Sequence, residues 1–255
     1  MNNIGFIILK AYYNRGTMER ILELIEIRKE THDVKTFRLK LDEKLDFIPG
    51  QYCLISFTDE KYPDGKKPFT FATSPTENSY VEFTIKKMGE FTTSLHGLSK
   101  GEKLEMDGPR GESLNFDESV DKDVIFITGG SGITPFMSAL RYSIDKNLKN
   151  KLTLFFSNRT LEDIIYRKEL GKLGGKDHIE VIHTLTQKVP DNWEGEEGRI
   201  DKEMIKKYVD NLSEKLWYIC GPPPMVDAMR ELLTELNVPE DNLRIEDWQI
   251  PGKHD

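Results

Sequence analysis

The residues best suited to chemistry form a glycine-rich segment that directly follows a continuous apolar run over 123–128. Its sequence is Thr128-Gly129-Gly130-Ser131-Gly132-Ile133-Thr134-Pro135. Glycine lets a backbone approach a pyrophosphate closely, and a helix that begins here points its free N–H groups at the same anion. Thr134 suits the N-cap of that helix, and Pro135 suits its first position. The phosphate-binding residues predicted in this way are Gly130, Ser131, Gly132, Ile133, Thr134 and Pro135.

The glycine-rich segment also has an ordinary interpretation. A tight strand-to-helix turn would explain one glycine, whereas three of the four residues over 129–132 are glycine. The third glycine of the G-x-G-x-x-G fingerprint is missing, so the segment is not the standard dinucleotide motif. Phosphate binding is therefore the favoured hypothesis, and a plain tight turn is the alternative.

A second candidate segment follows a later apolar run over 215–219. It reads Cys220-Gly221-Pro222-Pro223-Pro224-Met225. Ligands of open α/β sheets bind beyond the carboxyl ends of the strands, and Gly and Pro fix a rigid turn there. By itself, a Gly-Pro segment of this kind is a common turn after a strand. Together with the glycine-rich segment it predicts one crevice, to which Cys220, Gly221, Pro222, Pro223 and Met225 contribute.

The nucleotide preference of such a crevice depends on the residues that follow the strand predicted over 152–156. These are Ser157, Asn158 and Arg159. An acidic residue there favours a free ribose 2′-hydroxyl, and Arg favours a 2′-phosphate. These residues therefore slightly favour NADPH over NADH as the predicted nucleotide. The alternative is that Arg159 pairs with Asp163 or Glu162 on the next helix.

Composition excludes several classes of protein. The formal net charge of −8 argues against nucleic-acid binding, which needs clustered Lys and Arg. Two distant cysteines, Cys53 and Cys220, cannot supply the four thiolates of an iron–sulfur cluster. The five histidines lack metal-ligand spacing, so no metal site is expected. No apolar run approaches the roughly 20 residues that span a bilayer, and we expect a soluble, cytoplasmic protein.

Two different patterns of secondary structure position these segments. The first half predicts short strands with turns between them, typical of an antiparallel barrel or sandwich, and one helix over 92–98. From about residue 122, strands alternate with helices, which predicts a parallel sheet covered on both faces. One of the predicted helices covers 161–173. The predicted domains are 18–118 and 122–255, with 1–17 as an N-terminal extension.

The two segments, in this order, resemble the ferredoxin–NADP reductase superfamily, and most closely its cytochrome b5 reductase and oxygenase-reductase branch. The resemblance covers about residues 19–250. It implies an N-terminal antiparallel six-stranded β-barrel that holds FAD, with FMN less expected, and a C-terminal α/β domain that binds NADP or NAD. The implied activity is hydride transfer between NAD(P)H and the flavin, followed by electron transfer to a protein or small-molecule acceptor. The alternatives are an electron-transfer subunit without activity of its own, and a non-enzymatic flavin- or nucleotide-binding module.

The resemblance also implies a flavin site in the first half. Lys67-Pro68-Phe69-Thr70 falls where the family has Arg-x-Tyr-Ser/Thr, so Lys67 would bind the flavin phosphate as a point charge. Phe69 would cover the isoalloxazine ring, and the Thr70 hydroxyl would reach N5. The segment 89–98 resembles the family's Gly-x-x-Ser/Thr-x-x-Leu-x-x-Leu. Further flavin-site residues implied in this half are Thr84, Ile85, Lys86, Gly89, Phe91, Thr92 and Thr93.

The end of the chain completes the implied site. Leu243 to Trp248 resembles the family's Ile-x-x-Glu-x-Phe, which places Glu246 and Trp248 near the flavin ring, although Trp248 could equally be a packed core aromatic. The predicted catalytic residues are Thr70, Cys220 and Glu246. Cys220 is expected to border the nicotinamide without acting as a covalent nucleophile.

Overall fold

The structure, a computed structural model, describes residues 18–246. The predictions for residues 1–17 and for Trp248 lie outside these described residues. Within 18–246, the chain forms two six-stranded sheets, one after the other. In this part of the chain, no helix is both long and apolar enough to cross a membrane.

The first sheet is antiparallel and has the order β4-β3-β6-β1-β2-β5. Its elements are β1 (Met18–Lys29), β2 (Val34–Lys40), β3 (Tyr52–Phe57), β4 (Lys67–Thr70), β5 (Tyr80–Lys86), α1 (Gly89–Gly97) and β6 (Lys103–Arg110). The Ala72 N–H donates to the Glu82 carbonyl at 2.9 Å, which brings the chain after β4 against β5. The two ends of the sheet therefore meet, and the predicted barrel is confirmed.

The second sheet is parallel and has the order β10-β9-β8-β7-β11-β12. Its strands are β7 (Val124–Gly129), β8 (Leu152–Thr160), β9 (Ile179–Lys188), β10 (Glu196–Glu197), β11 (Leu216–Cys220) and β12 (Leu243–Ile245). Its helices are α2 (Thr134–Asp145), α3 (Arg167–Leu173), α4 (Lys202–Tyr208) and α5 (Pro223–Glu235). Every residue of β7 and β11 is buried, as expected for strands covered on both faces. The strand order reverses between β7 and β11, which is where ligands bind in such sheets.

The predicted helix over 161–173 is wrong. A single 3-10 turn, Leu161–Asp163, comes first, and α3 begins only at Arg167. The break lies at Tyr166, whose φ of 57° is left-handed. No Gly or Pro marks the break in the sequence, and the apolar spacing alone could not reveal it.

Strand β8 is longer than predicted, because β9 continues to pair with it as far as Thr160 opposite Lys188. Ser157, Asn158 and Arg159 therefore belong to the strand and do not follow its end. Successive side chains of a strand point to opposite faces. Asn158 is buried, whereas Arg159 is exposed.

The two sheets define two lobes, the barrel lobe (residues 18–116) and the α/β lobe (residues 124–246). One hydrophobic cluster spans both lobes, because Ala72 and Phe116 of the barrel lobe pack with Phe126 and Phe136 of the α/β lobe. The Tyr218 hydroxyl donates to the Asn115 carbonyl at 2.9 Å across the same boundary. The lobes are therefore joined by a shared apolar core as well as by polar contacts.

Candidate active site

The glycine-rich turn connects β7 to α2 through a 3-10 turn over Gly130–Ile133. Gly130 has a φ of +56°, a backbone conformation that residues with a side chain rarely adopt. An ideal Cβ at Gly132 would lie 2.5 Å from the Cys220 carbonyl oxygen and 2.7 Å from the Cα of Gly221. The glycines therefore shape the turn and let it pack directly against the second motif. The two motifs meet at the reversal of strand order, whereas the sequence placed them only at the carboxyl ends of two strands.

The prediction for Thr134 as an N-cap is wrong. Thr134 is the first residue of α2, Ile133 occupies the cap position, and Pro135 is the second helical residue. The Thr134 hydroxyl donates to the Ser131 carbonyl at 2.8 Å, so it does not accept a bond from a helix N–H group. The reason is that the 3-10 turn runs into the helix with Ile133 already helical, at φ −63° and ψ −22°.

Several buried polar atoms at this edge of the sheet have no partner among residues 18–246. They are the Thr128 hydroxyl and both amide atoms of Asn158. Thr128 is fully buried near the end of β7, and Asn158 is buried near the end of the neighbouring β8. Buried polar groups are normally hydrogen-bonded, and leaving them without partners costs free energy. This donor and acceptor set fits a polar ligand such as a dinucleotide at the ends of the strands.

Ser157 and Arg159 lie on the opposite face of β8 from Asn158. Ser157 is half-buried and Arg159 is exposed. The Asp163 carboxylate accepts from the Thr160 N–H at 3.1 Å and lies 3.5 Å from His32 Nδ1. In the described part of the chain, Arg159 forms no ion pair with Asp163 or Glu162, which was the alternative to a role in nucleotide binding.

The structure brings Cys220 and Glu246 together. The Cys220 thiol donates to the Glu246 carboxylate at 3.8 Å, and each residue is 5% exposed. Burial raises the pKa of Cys220 well above its usual range, and the Glu246 charge raises it further. The thiol is therefore protonated at neutral pH, which agrees with a role other than covalent nucleophile. A protonated thiol beside a carboxylate can hold a proton at the end of β11.

On the barrel lobe, β4 carries the four residues implied to bind flavin. Lys67 is exposed, and Pro68, Phe69 and Thr70 are half-buried. Within residues 18–246, Lys67 has no carboxylate within 4 Å, whereas its neighbour Lys66 is held by Glu19 at 2.6 Å. The charge of Lys67 is therefore available to an anionic ligand. Phe69 is half-buried and packs against the barrel core, and the part of its ring that stays exposed is what a planar ligand could contact.

Helix α1 starts at Gly89, three residues before the predicted start, and Gly89 has a φ of +75°. The Thr92 hydroxyl is engaged in the first turn, where it accepts from the Met88 N–H and donates to the Met88 carbonyl, both at 2.6 Å. Phe91 is buried, with its ring 6.3 Å from that of Phe69, and Thr93 is exposed. The helix start therefore lies beside β4, and Lys67 together with the first-turn N–H groups fits a flavin phosphate.

The implied residues of β5 have protein partners for their side chains. The buried Thr84 hydroxyl is hydrogen-bonded to Thr36 and to the hydroxyl of Tyr166. Ile85 packs in the barrel core, and the Lys86 ammonium lies 3.2 Å from the Asp33 carboxylate. Sequence reasoning missed Tyr166, because it lies in no motif and inside a segment predicted to be plain helix.

A buried charge cluster was also missed. The Glu82 carboxylate, 2% exposed, accepts from Arg28 at 2.7 Å, Arg38 at 2.8 Å and Arg141 at 2.8 Å. Arg141 belongs to α2, and the other three residues belong to the barrel lobe. The only sequence signal was a glutamate at an inward-facing position of a strand, and nothing local indicated its partners.

Two family models match the chain. The oxidoreductase FAD-binding domain matches residues 21–114, and the oxidoreductase NAD-binding domain matches residues 126–231. A propane 2-monooxygenase reductase component from Mycolicibacterium goodii is 31% identical over 241 residues, which are 90% of this chain and 67% of that protein. A ferredoxin–NAD(P)(+) reductase from Metapseudomonas resinovorans is 29% identical over 227 residues, 88% of this chain and 67% of that protein. The chain thus spans about two thirds of the length of these relatives.

Solved structures agree with these matches. The ferredoxin reductase in carbazole 1,9a-dioxygenase has a TM-score of 0.79 and 28% identity, and the match covers 91% of this chain and 69% of that one. The FAD/NAD-binding domain of a Vibrio cholerae nitric oxide dioxygenase has a TM-score of 0.80 at 18% identity, over 89% of this chain and 97% of that one, and shows the shared fold. The chain belongs to the ferredoxin–NADP reductase superfamily and is an NAD(P)H-dependent flavoprotein reductase with FAD- and NAD-binding domains.

Proposed function

We propose that this chain takes electrons from reduced nicotinamide dinucleotide and delivers them to a separate acceptor protein. The observation that carries the proposal is the direct contact of the glycine-rich turn with the end of β11, where Cys220 and Glu246 meet. Bound FAD would supply the hydride-accepting and electron-releasing chemistry. The division into a flavin-binding domain over 18–118 and a nucleotide-binding domain over 122–255 is part of this proposal.

The nucleotide half of the proposed site is formed by three strand ends. The turn over Gly130–Ile133 and the first turn of α2 offer N–H groups to the pyrophosphate, as helix starts do in related sheets. Segment 220–225 forms the opposite wall, and Thr134 and Cys220 border the nicotinamide. The unpartnered amide of Asn158 supports a polar ligand at the adjoining end of β8.

The flavin half is formed by β4 and the start of α1. The exposed charge of Lys67 and the N–H groups after Gly89 would hold the phosphates, and Phe69 would cover the ring. Thr70 would present its hydroxyl to N5. Trp248 stays a prediction, because it lies beyond the described residues.

The Cys220–Glu246 pair would hold a proton at the nicotinamide end of the site. Both side chains are 5% exposed, so water has little access to them. The protonated thiol itself adds no charge next to the nicotinamide, because the charge of the pair lies on Glu246. The two residues would therefore orient the ring and keep water away from it, which is how a protein aligns reactants for a cofactor reaction.

We propose NADPH as the preferred nucleotide. Arg159 is exposed beside Ser157 and forms no ion pair with Glu162 or Asp163 among residues 18–246. Its guanidinium is therefore free to donate hydrogen bonds to a 2′-phosphate. Replacing Arg159 by Ala is expected to weaken NADPH binding by roughly tenfold, the effect of one charge-assisted contact, and to leave NADH binding unchanged.

We propose a protein as the electron acceptor. The relatives above are named as a reductase component of propane 2-monooxygenase and as a ferredoxin–NAD(P)(+) reductase. The two cysteines of this chain, both buried and free, cannot bind a four-thiolate cluster, so such a cluster would be on the partner. The alternative, a subunit active only inside a complex, predicts stoichiometric partners on purification and little activity alone. A cytoplasmic location stays a prediction from the sequence.

Rapid anaerobic mixing tests the proposed function. Flavin-loaded protein is mixed with NADPH or NADH in separate experiments, and the flavin absorbance is followed. We expect fast bleaching by both nucleotides and tighter binding of NADPH, and the preference should disappear in the Arg159→Ala variant. A flavin that stays oxidised with either nucleotide contradicts the reductase function, whereas equal binding of both by the wild type contradicts only the preference.

A further inference from the structure

Tyr166 occupies an unusual position between the 3-10 turn Leu161–Asp163 and α3. Its φ of 57° and ψ of 22° are left-handed, which is an outlier conformation for a bulky residue and costs free energy. The residue is 4% exposed, at the boundary between the lobes. Such a backbone persists only where surrounding contacts fix it, and these contacts are therefore informative.

The contacts of Tyr166 reach from the α/β lobe into the barrel lobe. Its hydroxyl is hydrogen-bonded to the Thr84 hydroxyl of β5. Its N–H donates to the Glu30 carboxylate, just after β1, at 3.3 Å. Its ring lies 5.3 Å from the guanidinium of Arg141, which itself donates to Glu82 at 2.8 Å. These five residues, Tyr166, Thr84, Glu30, Arg141 and Glu82, are called the interlobe clamp below.

The interlobe clamp meets the barrel lobe mainly at β5, which lies against the segment that follows the proposed flavin strand β4. Ala72, two residues after Thr70, hydrogen-bonds to Glu82, two residues before Thr84. Arg141 of α2 also donates to the Ala72 carbonyl at 2.8 Å, so α2 contacts the barrel lobe at the same place. On the other side, α2 follows the glycine-rich turn directly. The clamp therefore joins β5 and the segment after the proposed flavin strand β4 to the elements proposed to hold the nucleotide.

We propose that Tyr166 is a positioning residue that fixes the orientation of the α/β lobe relative to β4 and β5, and thereby the alignment of the nicotinamide with the flavin. This inference rests on the proposed function. Hydride transfer needs closely aligned reactants, and a displacement of about 1 Å can lower a rate roughly 100-fold. A single hydroxyl that bonds across the lobe boundary can control such an alignment without touching either ring.

The test compares Tyr166→Phe with a matched control, Tyr208→Phe. Each change removes one hydroxyl, but the Tyr208 hydroxyl bonds to Glu196 within the α/β lobe. In Tyr166→Phe, Thr84 keeps its 2.7 Å bond to Thr36, so no hydroxyl is left without a partner in the barrel. The measured quantities are the rate constant of flavin reduction at saturating NADPH, the dissociation constants of flavin and NADPH, and the long-wavelength charge-transfer absorbance.

A second readout does not depend on activity. Cysteines introduced at the exposed positions Glu60 and Asp210, one on each lobe, can carry spin labels, because the native Cys53 and Cys220 are buried. The distance distribution between the labels reports the orientation of the lobes in protein with and without flavin. We expect one narrow distribution in the wild type and in Tyr208→Phe, and a broader or shifted one in Tyr166→Phe.

For Tyr166→Phe we expect a roughly tenfold or greater fall in the reduction rate constant and a weaker charge-transfer band, with both dissociation constants unchanged. If Tyr166→Phe does not fold, Thr84→Val removes the same bond from the barrel side, and the same fall is expected. A wild-type rate and distance distribution in either variant overturns the inference, as does an equal loss in Tyr208→Phe. Failure of the wild-type flavin to be reduced at all contradicts the proposed function instead.

Discussion

Replacing Gly132 by Ala is expected to separate the two halves of the nucleotide crevice. An ideal Cβ at this position would lie 2.5 Å from the Cys220 carbonyl oxygen, where ordinary contact begins at 3.4 Å. The neighbours are backbone atoms of Cys220 and Gly221, which cannot rotate away as a side chain does. The turn and the end of β11 must therefore move apart by about 1 Å.

The size of the effect follows from this displacement. Overpacking of a tight interior site costs about 1–3 kcal/mol, so the free energy of unfolding should fall by about that amount. The same shift of about 1 Å at the pyrophosphate turn should lower the rate of flavin reduction by roughly 100-fold. Flavin binding should not change, because Gly132 lies in the α/β lobe.

Two other glycines of the chain serve as matched controls. Gly130 has a positive φ but nothing within 4 Å of an added Cβ, so Gly130→Ala should cost about 1–2 kcal/mol from backbone strain alone. Gly171 lies inside α3 with open space around it, so Gly171→Ala should be neutral or stabilising by up to ~1 kcal/mol. Urea unfolding, flavin content and the rate of flavin reduction by NADPH are measured for all three variants. Wild-type stability together with a wild-type reduction rate in Gly132→Ala would contradict the predicted displacement.

Three further predictions concern buried groups. Burial opposes ionisation of Glu82, but its arginine partners outweigh the effect of burial and lower the pKa of the carboxyl group. The stabilisation from Glu82 is therefore present above pH 4.5 and is lost at lower pH. Glu82→Gln should lower the free energy of unfolding in urea by about 3 kcal/mol, and an unchanged value would contradict a structural role for the cluster. Cys53 and Cys220 are both buried, so a thiol reagent should label neither in the native protein and both after denaturation, and rapid native labelling would contradict the fold. Burial lowers the pKa of His183 from 6.5 to about 4, so the unfolded state takes up the proton first, and roughly 3 kcal/mol of stability should be lost as the pH falls between these values. His183→Gln should flatten this part of the pH–stability curve, and an unchanged curve would contradict this assignment.

Local patterns were enough to predict much of the fold. The first half was predicted as short strands with turns between them, and β5 (Tyr80–Lys86) is one of these strands, marked by apolar alternation and flanking turn residues. The continuous apolar runs that became β7 and β11 indicated buried parallel strands for the same kind of reason. The motifs that follow these strands are in contact, as expected from the convergence of strand ends at one edge of a parallel sheet.

The errors arose where contacts distant in sequence decide the structure. The helix over 161–173 is interrupted at Tyr166, whose left-handed backbone is fixed by residues of the barrel lobe more than 80 positions away. The N-cap prediction for Thr134 failed because a 3-10 turn, which packs against Cys220 and Gly221 almost 90 positions away, precedes the helix. The cluster around Glu82 could not be predicted, because its arginines come from β1, β2 and α2.

An equilibrium titration of the flavin-loaded protein with NADPH, in the absence of oxygen, tests whether the nicotinamide and flavin sites are joined. The flavin band near about 450 nm should bleach linearly and reach its end point at one nucleotide per flavin, because each carries two electrons. Protein that binds no flavin, or bound flavin that excess NADPH leaves oxidised, would contradict the central claim that this chain joins a nicotinamide site to a flavin site.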